Sequence, residues 1–416
     1  MFIITLVFTL ILVNLSWSVP QFARDYNAGC NVCHTNIPML NDVGERFLRN
    51  GFRFSPQDLP TLKELITEKD PRFLPFGVMI GANYKDKSRG NNLTGKAKLY
   101  LAATITKNLS IFGMTKDVFN SDAPNEPDFF EEKSSILYIQ FVFDEQKHLF
   151  RAGLMSPFTQ LGNVQRAFLD SGLTGIRISK KPANMNRKEN NRRGNRGNRG
   201  NRGNRNMGNN QKGQKGKHRG GTYKSPLQNA GISNFKGAEY SYLFNNQILA
   251  LISFGKPVSH GGNENQRGNK TQQTSNDDSD YQIFSGLRYI GNNFKIGLIY
   301  SFKKENGIEN NAFLIPIEKN FYPLYLTSVL VYRDNDKKGN YLGTENSILY
   351  AINSTNYLRG IINIGKEEDR DTEYGYSLMY SFLFKNHVLL HLIGGYADPA
   401  NSEGKSQFKA SISLFF

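Results

Sequence analysis

The chain carries two cysteines, and both fall in one short run, Cys30-Asn31-Val32-Cys33-His34. Two thiols at this spacing, with an imidazole directly after the second, read as a c-type haem attachment site. The thiols can add to the two vinyl groups of a porphyrin, and the adjacent imidazole then reaches the iron as an axial ligand. A redox-active thiol pair and half of a zinc site use the same spacing. The first belongs in a strand-helix-strand setting that the flanking residues lack. The second needs two more ligands, and the six histidines offer no matching spacing. The expected cofactor is one covalently bound haem c, tethered by Cys30 and Cys33, with His34 as the iron ligand.

The sixth iron ligand has no signature of its own. Met39 follows His34 too closely to wrap to the opposite face of a haem, and Met79 and His148 are the alternatives, with ordinary packing the more common account of both. Arg24, Arg46, Arg49 and Arg53 are candidates for pairing with haem propionates, because a guanidinium matches a carboxylate in two parallel hydrogen bonds. Solvated charge explains each of them singly just as well.

Two elements have to position the motif. After it, Leu40, Val43, Phe47 and Leu48 recur at helical spacing and Asn50-Gly51 supplies a stop, which predicts one amphipathic helix covering a haem face. Before it, Phe2 to Val13 is almost wholly apolar and is followed by Asn14, Ser16, Trp17 and Ser18, which predicts a signal peptide over 1–18, although no Lys or Arg precedes the apolar run. That run is short for a bilayer core of about 30 Å, so export is expected over a retained anchor. Export also suits the motif, since haem is attached to such thiols outside the cytoplasm. Residues 19–75 are expected to form a small α-helical monohaem domain.

From Phe76 onward the periodicity switches to two. Phe294, Ile296, Leu298, Tyr300 and Phe302 alternate with Lys295, Gly297, Ile299 and Ser301; Tyr374, Tyr376, Leu378, Tyr380, Phe382 and Phe384 do the same against Gly375, Ser377 and Ser381. Runs of about ten residues with one apolar face are what a lipid-facing barrel strand requires. Similar stretches are expected at Phe76 to Tyr84, Lys96 to Ile105, Leu109 to Val118, Ile136 to Asp144, Phe150 to Met155, Gly172 to Ser179, Ala238 to Phe244, Ile248 to Phe254, Tyr281 to Ile290, Tyr325 to Arg333, Ser347 to Asn353, Leu358 to Gly365 and His387 to Ala397. The last strand places Phe408, Ala410, Ile412, Leu414 and Phe416 on one face and ends in phenylalanine, resembling the signature of exported barrels. The fold class expected for 76–416 is thus a mainly β, porin-like transmembrane barrel of about 16 antiparallel strands. Short turns should gather at one end, but this strand list does not keep them there throughout, which puts an error between Met155 and Ala238 and another between Phe302 and Tyr325.

Charge is concentrated rather than spread. Of a formal +16, residues 187–219 hold twelve Lys or Arg against the single acid Glu189. This Asn/Arg/Gly-rich tract, within a loop over 180–222, has almost nothing apolar with which to build a core and is expected to be disordered. Arg/Gly tracts that bind nucleic acid usually carry aromatics; none occurs between Ala183 and Thr222, so lipopolysaccharide or another polyanion is expected over nucleic acid as a partner, and a solvated surface-loop insertion accounts for the tract at least as well. A second long polar loop is expected over 255–280. Mean hydropathy of −0.50 fits strands and not helices as membrane spans.

Phe22-Ala23-Arg24 before the motif, the Cys-x-x-Cys-His itself, then Pro38, Leu40, Asn41, Gly44, Phe47, Gly51 and Phe52 resemble the fused cytochrome-porins that act as outer-membrane iron oxidases. The resemblance covers about 30 residues closely and the rest in architecture. It implies a single-haem electron carrier in a Gram-negative-type outer membrane, with extracellular Fe(II) as donor, a periplasmic c-type cytochrome as acceptor and no catalytic side chain beyond the haem. A transport porin with an accessory haem domain, or electron transfer from another donor or in the outward direction, is compatible with the same residues. No Ser/His/Asp or paired-carboxylate constellation points to hydrolysis.

Overall fold

The computed structural model describes residues 22, 26, 28–37, 39–54, 75–86, 92–115, 136–144, 147–157, 161–163, 223–258, 280–368, 370–384, 388–398 and 404–415. The expected signal peptide and the basic tract lie outside the described residues. A hairpin of two short strands, β1 (His34–Asn36) and β2 (Met39–Leu40), precedes helix α1 (Asp42–Arg49). The barrel strands follow: β3 (Phe76–Lys85), β4 (Asn92–Thr104), β5 (Leu109–Met114), β6 (Ile136–Phe143), β7 (His148–Met155), β8 (Phe235–Phe244), β9 (Ile248–Pro257), β10 (Tyr281–Ile290), β11 (Phe294–Glu305), β12 (Ile308–Phe321), β13 (Leu324–Asn335), β14 (Tyr341–Ala351), β15 (Asn356–Glu367), β16 (Glu373–Phe384), β17 (Val388–Asp398) and β18 (Lys405–Phe415). A short helix, α2 (Pro226–Asn229), stands between β7 and β8. The sixteen strands pair in sequence order, all antiparallel, and β18 closes on β3. Closure leaves no unpaired edge, the condition for strands to cross a bilayer.

Alternation decides what each face presents. Ile252, Leu287, Leu298, Ile362 and Leu378 are exposed on the outer wall, while their neighbours Leu251, Arg288, Ile299, Asn363 and Ser377 are buried against the interior. Aromatic rings line the outer face toward one rim, among them Phe143, Phe244, Tyr289, Tyr322, Tyr350 and Phe384, and toward the other at Phe254, Tyr281, Phe302, Tyr332 and Tyr374. That is the belt-and-girdle pattern of a membrane-spanning barrel.

Two expectations are corrected. The region between Phe302 and Tyr325 holds a full strand, β12, paired with β11 and β13. Pro316 inside it argues against a strand in sequence, since proline cannot donate to a ladder. Here the β11–β12 register is interrupted between Ile296↔Ile317 and Ile299↔Leu314, the interval that contains Pro316, and resumes beyond it. Gly172 to Ser179 lies outside the described residues, and β7 pairs directly with β8. With these changes every connection at one end is four residues or fewer: 105–108, 144–147, 245–247, 291–293, 322–323, 352–355 and 385–387. The long connections, 115–135, 156–234 and 258–280, all fall at the opposite end. β9 extends to Pro257, so the second polar loop begins later than expected; 259–279 are outside the described residues.

Described segments from the N-terminus and from the long loop between β7 and β8 enter the interior. The described residues within 28–54 cross the lumen at the short-turn end: Cys30 packs on Leu383 and Leu389, Arg49 meets Ser241, and Phe52 stacks on Phe112 at 5.2 Å. From the long loop between β7 and β8, Leu161–Asn163 also enter the lumen, and α2 lies against β13 to β15. The described part of the head holds one eight-residue α-helix, and residues 55–74 of the expected 19–75 domain lie outside the described residues.

If the exposed side of β16 faces hydrocarbon, Leu378→Arg should destabilise the barrel by about 2–4 kcal/mol, the depth-dependent cost of a cation on a lipid face. Chemical unfolding of the barrel reconstituted in bilayers measures it, and an effect near zero would remove the bilayer reading of that face.

Candidate cofactor site

The Cys-x-x-Cys-His run begins as a single 3-10 turn over Cys30–Val32, with Val32 N donating to Gly29 O at 3.0 Å and Cys33 N to Cys30 O at 3.3 Å. What holds this turn in place is the start of α1. Asn41 caps the helix by accepting from Gly44 N at 2.9 Å. Its amide donates in the other direction to Val32 O at 2.9 Å, and its backbone N–H donates to Cys33 O at 3.0 Å. One residue thus ties the helix N-terminus to the thiol turn, using donors and acceptors that would otherwise be orphans. Gly44 completes the contact, because a Cβ there would come within 2.1 Å of Cys33 O. The Leu-Asn-x-x-Gly pattern after the motif is therefore a docking device for the thiol turn.

The helix ends as expected at Asn50-Gly51. Gly51 takes a left-handed φ of 71° that favours glycine, and Phe52 N returns to Phe47 O at 3.0 Å. The turn delivers Phe52 into a run of rings: Phe22 lies 5.0 Å from Phe47 and 5.4 Å from Phe52, and Phe52 passes the contact on to Phe112 and Tyr138 of the wall. The aromatic positions flanking the motif thus glue the plug to β5 and β6.

The donor set fits a c-type haem. Neither thiol is in a disulfide. Burial pushes the Cys30 thiol up to about 11 and raises Cys33 as well, the reverse of the lowered thiol that a redox-exchange pair depends on. His34 Nδ1 lies 3.2 Å from the carbonyl of Met39. A carbonyl only accepts, so Nδ1 carries the proton and Nε2 keeps the lone pair a metal needs. The thiols straddle two apolar clusters, Cys30 against Leu383, Leu389, Ile37 and Phe415, and Cys33 against the Phe47 group. The cleft beside Cys30 and His34, walled by Ile37, Tyr357, Leu383 and Leu389, measures about 10 Å³, the room of one water. A porphyrin on these thiols requires the cleft side chains to move apart.

Of the ligands weighed from sequence, none described is aimed at His34. Met39 Sδ sits 3.0 Å from Arg359 Nη2. Met79 faces the lumen, with its sulfur 3.9 Å from the Tyr100 hydroxyl. His148 is on the outer wall, stacked on Phe143 at 4.7 Å and bonded to Tyr240 Oη at 2.6 Å, which removes it as a ligand inside the barrel. Arg49 and Arg53 serve the barrel, through Ser241 Oγ and the Lys107 carbonyl respectively. Arg46 remains exposed, and Arg24 is outside the described residues.

The plug is locked by charge at residues that the sequence reading passed over. Arg288 of β10 makes a two-pronged contact with Glu45 of α1, at 3.0 and 3.2 Å, and reaches Glu318 of β12 at 3.0 Å. Lys295 of β11 adds Glu45 at 3.2 Å and Asp42 at 2.5 Å. Asn163, from the long loop, donates to Glu318 and exchanges two 2.8 Å bonds with the backbone of Leu40. The available signal was an inward cation between outward apolar residues, Leu287-Arg288-Tyr289. Burial alone would raise the Glu45 carboxyl, but Arg288 and Lys295 outweigh it and hold it down at about 2.

The chain matches no family profile and no curated protein. Among solved structures it is similar to an anion-selective porin from Comamonas acidovorans, with 11% identity over 82% of this chain and 98% of that one and a TM-score of 0.49. It is also similar to a triple mutant of Rhodopseudomonas blastica porin, at 9%, 82%, 99% and 0.48. A third is a loop-deleted OmpT of Vibrio cholerae, at 9%, 82%, 98% and 0.45. The barrel fold rests on this chain's own strand pairing.

Two outcomes follow. Glu45→Gln breaks a buried ion pair and should loosen the plug by about 3–5 kcal/mol, read as raised conductance in planar bilayers or faster proteolysis within residues 28–54. Because the folded Glu45 carboxyl lies below its ordinary 4.5, its contribution is complete above pH 4.5 and is lost as pH falls toward 2, so acid should unseat the wild-type plug across that window. Glu45→Gln should lack the transition; an identical acid response in both proteins would assign it elsewhere. Separately, Gly44→Ala should lower covalent haem yield, measured by haem staining of denaturing gels, while leaving barrel assembly intact.

Proposed function

We propose that this protein is an outer-membrane electron carrier, in which one c-type haem on Cys30, Cys33 and His34 exchanges electrons across the mouth of a closed barrel. The observation that carries the reading is that the only two cysteines lie in a docked turn inside the lumen, held by Asn41 and Gly44 and sealed by the Glu45–Arg288 contact. An exported barrel has short turns on the periplasmic side and long loops outside. The thiol turn at the short-turn end would then face the periplasm, with Val32 exposed beside it.

Bound haem supplies a one-electron ferric/ferrous couple. The chain's part is to tether it through the two thiols, to present His34 Nε2 while the Met39 carbonyl holds the opposite nitrogen, and to surround it with Ile37, Leu383, Leu389 and Phe415. Axial ligand, burial and hydrogen bonding are the levers that set its potential. A periplasmic cytochrome is within direct reach of such a site. Extracellular Fe(II), the donor that the resemblance to cytochrome-porins implies, has to enter the lumen from the loop end. No acid, base or nucleophile takes part in moving one electron.

A transport porin is the second reading, favoured by the barrel itself. α1 and Leu161–Asn163 stand in its solute path, so it requires solute to pass beside them or the plug to move.

Stopped-flow absorbance of the haem-loaded protein mixed anaerobically with ferrous iron separates these. Rapid appearance of the reduced c-type bands is expected. A protein that dithionite reduces and iron does not would retire the iron-oxidising reading, and substantial solute conductance from the wild type would favour the porin.

A further inference from the structure

We infer that the outer wall across β8 to β11 is a binding groove for one phospholipid with an ammonium-bearing, zwitterionic headgroup, which lays an acyl chain into it. The inference concerns the lipid-facing wall and does not depend on the haem reading. Outward positions on these strands are mostly large, but Ala250 of β9 and Ser285 of β10 are small. Register sets each of them among taller neighbours. Tyr242, Ala250, Leu287 and Leu298 lie directly opposite one another in one outward row, and Tyr240, Ile252, Ser285 and Tyr300 in the next. The two small positions are diagonal neighbours, so their gaps join, and the groove reaches Leu251 and Gly286, which are inward positions. It measures about 710 Å³, within the roughly 300–1,000 Å³ of built ligand sites.

The rings that wall the groove are held. Tyr240 Oη lies 2.6 Å from His148 Nδ1, and Tyr300 Oη donates to Asn311 Oδ1 at 2.9 Å. Tyr242 packs on His148 at 4.6 Å and on Phe244 at 4.3 Å. In a bilayer a chain gains nothing from the hydrophobic effect by leaving other chains for this wall, so retention has to come from close packing and from the headgroup. The groove ends at His148, on the short-turn rim. There Asp144 Oδ2 lies 3.7 Å from His148 Nε2 and 3.7 Å from Lys147 Nζ, with the Asp144 and Lys147 side chains 53% and 40% exposed. The rim therefore offers one charge of each sign within a headgroup's span: Asp144 for an ammonium, Lys147 for a phosphate. A lipid whose headgroup is only anionic would satisfy Lys147 and set its charge against Asp144, which is why the zwitterion fits.

The test uses the full-length protein in nanodiscs of equal parts phosphatidylethanolamine and phosphatidylglycerol, released and weighed by native mass spectrometry. One phosphatidylethanolamine retained per barrel is expected, in severalfold excess over phosphatidylglycerol. Ala250→Trp fills the groove and should lose the adduct, whereas Ala410→Trp, outward on β18, should keep it. Asp144→Asn with Lys147→Gln should keep an adduct and lose the headgroup preference. A wild type that retains no lipid overturns the inference and needs no variant to fold. Equal retention of the two lipids, or an adduct that survives in Ala250→Trp, overturns it as well. A wild-type mass of two or three chains that falls to one in Ala250→Trp would give the groove to a second copy of the protein instead.

Discussion

The contact of Arg288 with Glu45 and Glu318 gathers three segments that are far apart in the chain: the N-terminal plug, the wall of the barrel, and, through Asn163, the long loop between β7 and β8. A buried guanidinium without its carboxylates would be an uncompensated charge, so the three segments hold one another in place. This explains why the plug lies across the lumen instead of hanging below it. The thiol turn inherits its position from that lock, since Glu45 is on the helix whose capping residue, Asn41, grips the turn.

The lock exists because a closed barrel in lipid must sort its side chains by alternation. Ile283, Leu287 and Tyr289 of β10 and Phe294, Ile296, Leu298 and Tyr300 of β11 take outward positions, so polar residues at the intervening positions, such as Arg288, Lys295 and Ser301, point inward. An empty interior would solvate them with water. Here the plug supplies carboxylates, carbonyls and aromatic faces instead, and the barrel houses the motif and the described residues around it. Cys30 and Phe415, at opposite ends of the chain, meet at the same rim for that reason.

Under the proposed function, a one-electron carrier would benefit from such a housing. The barrel contributes rigidity and an apolar wall beside the thiols, while the exposed rim near Val32 leaves an approach for a partner. The long loops stand at the other end, away from the motif, so the loop end and the thiols are separated by the height of the strands.

Much of this was legible without a structure, because two patterns are local. The period-two alternation on β11 and β16 follows from the pleat, and Cys30, Cys33 and His34 declare their chemistry within five residues. The strand β12 was not legible: Pro316 and the inward Glu318 and Asn310 mask its alternation, and only pairing with β11 and β13 on either side compensates. Nor could the sequence say that the residues after the motif lie inside the barrel, since Asp42, Glu45 and Arg49 read as an ordinary solvated helix face until Arg288, Lys295 and Ser241 are brought opposite them. The amino-acid sequence by itself determined a barrel wall and a thiol-imidazole motif, both products of near-neighbour spacing. Where the motif sits, and which wall residues face it, was decided by closure of the sheet, which alone brings positions hundreds of residues apart into contact.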